Sequence, residues 1–279
     1  GDIATGVSTL AEGVNVMVLR DRTAESLKYG IMKRGNTRGC LSAVQVVVGK
    51  AVYSGALTVR SASTLRGAEG ASLTVKGATV SGAGNLSAEG AVTVTDTAWG
   101  TRRLIAASGT LTLGAGNDLA SAQLESLTGA TAAVQSGVAA LEVSGLAGTG
   151  ALDLGDVAAL TLTGSYGNAA HGGTISGGAE GLAVTKRGIA SQTLPTLPEG
   201  ARLTIEAGML ELASDAAPGA LILTGGTLET SAGAFATAYA EMTRGTVTLA
   251  TAGTAAEAKP AMAAATDGGF WNVVAALSR

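Results

Sequence analysis

Few side chains in this sequence are equipped for chemistry. One histidine and one cysteine occur in 279 residues. His171 lies in Tyr166-Gly-Asn-Ala-Ala-His-Gly-Gly173. A Ser–His–Asp triad would have to use it, but no G-x-S-x-G elbow is present, so its glycine flanks read better as a turn. Cys40 excludes an intrachain disulfide, and its place beside Leu41 reads as a buried thiol. One His and one Cys cannot hold a structural zinc, so no metal is expected. The closest Asp pair, Asp153 and Asp156, stands in Leu152-Asp-Leu-Gly-Asp156. Carboxylates so spaced can cleave glycosides or bind calcium. No Arg or Lys lies between Arg103 and Lys186 to assist, and eight aromatic residues offer little sugar stacking. Gly114-Ala-Gly-Asn-Asp118 is a single copy of a calcium-repeat-like run that works only in tandem. G-x-G at Gly82/Gly84 and Gly148/Gly150 lacks the third glycine of a dinucleotide site, so no cofactor is expected.

The elements that must position these residues are short strands. Gly is 42 of 279 residues, aromatics are 3% and charged residues 14%. Mean hydropathy is +0.36, too apolar for a disordered chain. Glycine spacing is irregular, which excludes collagen. No apolar run reaches transmembrane length, and the first ten residues do not read as a signal peptide. A net charge of −3 argues against nucleic acid as a partner.

A unit of Gly or Ala followed by apolar–polar–apolar residues recurs, as in Gly55-Ala-Leu-Thr-Val59, Gly90-Ala-Val-Thr-Val94 and Gly208-Met-Leu-Glu-Leu212. Its period of two is that of a strand with one buried face. The copies themselves repeat. Leu73, Val92 and Leu111 are 19 residues apart, and Leu210 and Leu228 are 18 apart. Leu141, Leu160, Leu182, Leu203 and Leu221 form a second series, while Leu124 and Leu152 fall between columns and Leu221 to Val247 is a long step of 26.

Three short strands and three turns close a coil of about 20 residues. The expected fold is therefore all-β: a single-stranded parallel β-helix, or β-solenoid, of about 18–22 residues per coil. Roughly 12–14 coils would make a rod about 60–65 Å long. A β-sandwich has similar strand spacing, but not a recurring sum of 19. Residues 1–50 are expected to form an N-terminal cap or first irregular coils, 51–250 the repeats, and 251–279 a C-terminal cap or tail.

Ser108-Gly-Thr-Leu-Thr-Leu-Gly114 and Gly225-Gly-Thr-Leu-Glu-Thr230 resemble the G-G-T-L-x-L repeats of autotransporter passenger domains. The resemblance covers roughly residues 51–250. It implies a right-handed β-helix of a Gram-negative bacterium, exported across the outer membrane to the cell surface or secreted. The single cysteine agrees with that family. Phe270 to Arg279 lacks the alternating ten-residue strands of a translocating barrel.

The functional expectation is a non-enzymatic adhesin, stalk or self-associating scaffold. Its partner would be a host or matrix protein, a glycan or another copy of itself, without membrane insertion by this segment. Wider steps mark possible contact loops at 164–180, with Tyr166, Asn168 and His171, and at 229–246, with Phe235 and Tyr239. The alternatives are a polysaccharide lyase or glycosidase, requiring acids on one face with Arg or Lys opposite, and an ice-binding solenoid. The latter would use outward rows such as Thr93/Thr95, Thr110/Thr112 and Thr161/Thr163.

Overall fold

The computed structural model describes residues 2–20, 41–48, 50–59, 62–213, 218–230, 240–250 and 273–276. Cys40, Phe235 and Tyr239 lie outside the described residues. Every described element is a strand, and every pairing between strands is parallel, giving a β-solenoid of about ten turns. At about 4.8 Å per strand the stack is about 48 Å long. Dividing the chain by 20 overcounted the coils, because steps reach 24 residues within the stack and 26 to 49 where strand Asp2–Arg20 pairs, and residues 21–40 and 251–272 are not described.

The strands sort into three ladders. In the first, Ala51, Leu73, Val92, Leu111, Ala132, Leu152 and Ile175 stack in register. The second begins with Leu57, Val80 and Trp99. It continues as Leu141, Leu160, Val184, Leu203, Leu221 and Ala240. The third carries Leu86, Leu104, Leu124 and Leu146, and later Gln192, Leu210, Leu228 and Val247. These rows turn inward because period-two strands alternate faces, and most of their members are nearly inaccessible. Strands Asp2–Arg20 and Leu41–Val48 pair onto the N-terminal end, and Val273–Ala276 onto the C-terminal end.

The register corrects three readings of the spacing. The residue stacked between Leu160 and Leu203 is Val184, not Leu182. Val247 follows Leu228 rather than Leu221, so the apparent step of 26 is two ordinary steps of 19 in different ladders. Leu124 and Leu152 are regular members of the third and first ladders.

Glycine builds the tight corners. Gly90 has φ +73°, and a Cβ there would lie 2.0 Å from the Gly67 carbonyl oxygen of the coil below. Gly109 stands on Gly90 in the same way, so one spine of glycines lets successive corners touch through backbone. A second spine, Gly188, Gly208, Gly226 and Gly245, serves a different corner in the C-terminal coils.

Candidate functional site

The site forms at a long coil within the stack. Leu160 to Val184 takes 24 residues, against 19 from Leu141 to Leu160. The surplus lies in the connection after strand Ala159–Leu162. The wide step 164–180 is not one loop, since it contains short strands Ala169–Ala170 and Thr174–Ser176. The irregular part is 163–168, and it folds back along one corner of the rod.

Side chains pin this segment to the coils beneath it. The Tyr166 N–H donates to Ser144 Oγ (2.7 Å) one coil back. Thr163 Oγ1 and Ser165 Oγ both donate to the Ala120 carbonyl two coils back (2.6 and 2.7 Å). Gln123 Nε2 donates to the carbonyls of Gly167 (3.2 Å) and Asn168 (3.0 Å). Asn168 Oδ1 accepts from the Ser191 N–H on the following coil (2.9 Å). Ser144 and Gln123 are buried. Buried polar groups persist where they find partners, and the loop supplies them for Ser144 Oγ and Gln123 Nε2, while Gln123 Oε1 has none among the described residues.

Gln192 continues the same polar seam. It occupies an inward position of the third ladder, 1% exposed. Its Oε1 accepts from the Leu146 N–H (2.9 Å) and its Nε2 donates to the Leu146 carbonyl (2.8 Å). The amide acts as a substitute peptide, joining two coils across the place where the intervening chain has looped out. Gly145 leaves room for it, since a Cβ there would sit 2.9 Å from Gln192 Oε1 and 2.7 Å from the Ala169 methyl.

The pinning holds an aromatic ring in solvent. Tyr166 is 37% exposed, and the Arg102 guanidinium lies over its ring at 5.8 Å from the centroid, within cation–π range. Both border an open cleft of about 410 Å³ whose other walls include Ala62, Ala83, Gly84 and Asn85. Neighbouring Arg103 pairs with Glu125 (3.1 Å). Arg102 has no carboxylate partner among the described residues.

Of the contact residues expected from the sequence, Tyr166 and Asn168 share this exposed loop. His171 does not face solvent. It is 2% exposed, its Nδ1 3.2 Å from the Ala147 carbonyl and its Nε2 3.4 Å from the Thr174 carbonyl. Arg102 was not legible as a site residue, being 64 positions from Tyr166 with no shared motif. Lys186 was also missed. It takes an inward position between Leu162 and Ile205, 1% exposed, and its Nζ donates to the carbonyls of Arg187 and Gly188 (2.9 Å for the latter). Burial pushes its pKa below the usual lysine value. Extending the alternation Leu182, Val184 by one step would have found it.

The other candidate chemistry resolves into turns and strand rows. Asp153 Oδ1 accepts from the Gly155 N–H (3.0 Å). Asp156 accepts from Ser136 Oγ (2.6 Å) and the Gly137 N–H (3.1 Å), which hold its carboxyl below the ordinary value. Each carboxylate braces a turn. Asn117 joins coils with its amide, donating to the Val94 and Gly114 carbonyls. Thr74, Thr93 and Thr112 stack in register, and Ala133 and Asp153 follow them. Thr161, Thr185 and Thr204 form a row on a different ladder. Among the described residues no three His, Cys, Asp or Glu side chains gather as a metal site, and no helix is long and apolar enough to cross a membrane.

No protein-family model matches the chain, and no curated protein or solved structure is significantly similar to it.

Proposed function

We propose that the protein is a non-enzymatic β-solenoid scaffold of the cell surface or extracellular medium, of the autotransporter-passenger kind, displaying a contact loop from a rigid rod. The observation that carries this reading is the pinned 163–168 segment. A largely repetitive stack lengthens its coil here, holds an aromatic side chain outside, and uses buried Ser144 and Gln123 to fix it. Large exposed rings on rigid supports are the usual anchors of recognition, because little conformational entropy is lost on contact. The uniform coils supply length and stiffness, and the partner is a host or matrix protein, a glycan or another copy of the chain.

The test exposes purified protein to immobilised matrix proteins, whole cells and acidic polysaccharides, with polysaccharide chain length and protein oligomeric state followed in parallel. Saturable binding or concentration-dependent association, with polysaccharide length unchanged, is the expected result. Progressive shortening of a polysaccharide would overturn it in favour of a lyase or glycosidase. A separate arm places the chain ahead of an outer-membrane translocating barrel in a Gram-negative host. Protease-accessible protein on intact cells is expected, and retention in the periplasm argues against the passenger reading.

A further inference from the structure

We infer that the cleft between Arg102 and Tyr166 binds an acidic sugar unit, a carboxylated or sulfated pyranose, of a glycan chain. This rests on the display-scaffold reading and names its ligand chemistry. Three groups of complementary kind border the cleft. Arg102 offers a planar fork of N–H donors that matches a carboxylate or sulfate in two parallel bonds. Among the described residues it makes no ion pair, whereas Arg66, Arg103 and Arg187 are each paired with a glutamate. Tyr166 offers an aromatic surface for the C–H face of a sugar ring. Asn85, half-buried on the cleft wall, offers an amide for ring hydroxyls.

The arrangement is built ahead of the ligand. Tyr166 follows Ser165 and precedes Gly167, and all three are anchored by the bonds to Ser144, Ala120 and Gln123. These bonds fix the backbone that carries the ring, which stands near Arg102, three coils away along the corner. Ala62, Ala83 and Gly84 keep the remaining wall low, and the cleft of about 410 Å³ is open to solvent. An open, shallow cleft suits one or two sugars of a long chain better than a small enclosed metabolite.

Titration calorimetry with three oligosaccharide probes tests this: oligogalacturonate for carboxylates, heparin-derived oligosaccharide for sulfates, and dextran as a neutral control. Wild-type protein should bind at least one acidic probe at least tenfold more tightly than dextran, more weakly as salt rises. Arg102→Ala should lower that affinity at least tenfold and Arg102→Lys by less. Tyr166→Ala should lower it several-fold and Tyr166→Phe should leave it unchanged. Both side chains are exposed, so the variants should melt with wild type. Equal affinity for dextran, no binding of either acidic probe, or acidic-probe binding indifferent to Arg102→Ala would each overturn the inference. If cell or matrix binding also survives Arg102→Ala and Tyr166→Ala, this site fails while the scaffold reading stands.

Discussion

Two stretches of the rod solve the same closure problem differently. From residue 63 to 186 each coil passes through the third, first and second ladders in turn. From residue 191 onward the first ladder is missing, and the described coils alternate only between the third and second, as in Ser191–Leu194, Arg202–Ile205, Met209–Leu212 and Ala220–Leu223. The replacement segment 195–201 contains Pro195 and Pro198, and neither can donate to a ladder. Leu197 packs against the core from that segment, doing for a loop what an inward strand residue does elsewhere. The tight glycine corner moves with the change. It lies between the third and first ladders at Gly90 and Gly109, and between the second and third at Gly208 and Gly226. The pinned loop bearing Tyr166 lies in the last three-ladder coil before the change. A solenoid can thus alter its cross-section if side-chain amides, here those of Gln123 and Gln192, replace the backbone bonds lost at the junction.

The largest losses are expected at the corners. Gly90→Ala and Gly208→Ala each bring a methyl within 2.5 Å of a backbone carbonyl at positive φ, so both should lose upwards of about 3 kcal/mol. Gly70→Ala shares the positive φ but meets nothing within 4 Å, so it should lose only about 1 kcal/mol. Urea unfolding of the three variants checks this, and equal losses would show that conformation rather than close approach governs these corners. In the core, Leu111→Ala and Leu203→Ala should each cost about 2–5 kcal/mol, with Leu203→Ala the lower because a loop wall can collapse into the cavity.

At the junction, Gln192→Leu leaves the Leu146 peptide without its partner, a loss of about 1–3 kcal/mol. Faster hydrogen exchange at the Leu146 amide should accompany it. Lys186 makes the stability of this region depend on pH. Its folded pKa is depressed by burial from 10.5. Between the depressed value and 10.5 the unfolded chain binds more protons, so stability should rise with pH across that window. Lys186→Met should flatten this part of the profile. The smallest effect belongs to Asp156, whose carboxyl is held below 3.8 by Ser136 and Gly137 on an exposed turn. Its contribution is present above that value and fades as pH falls through the folded pKa, and Asp156→Asn should remove this acid step.

Strand pattern and period were legible because they arise from the same alternation that buries the core. Leu73, Val92 and Leu111 did form a column, as did Leu210 and Leu228. Register failed where two inward residues of one strand compete, as with Leu182 and Val184, since nothing in a single copy says which stacks on Leu160. The site was half legible. A widened step announced the loop of Tyr166 and Asn168, but its partner came from a coil three turns away. His171 was misplaced on the outside because its flanking glycines signal a turn whether the ring points in or out. Gln192 and Lys186 break the apolar rule at inward positions, and their carbonyl partners exist only once the coils are stacked.

The ladder bonds of every coil run along the long axis of the stack. A pull applied to the two opposite ends would therefore load them nearly head-on, one coil after another, rather than shear a whole sheet at once. Coils of 18 to 24 residues should peel in succession, each releasing about 60–80 Å of extended chain. A scaffold made this way would yield to tension in steps.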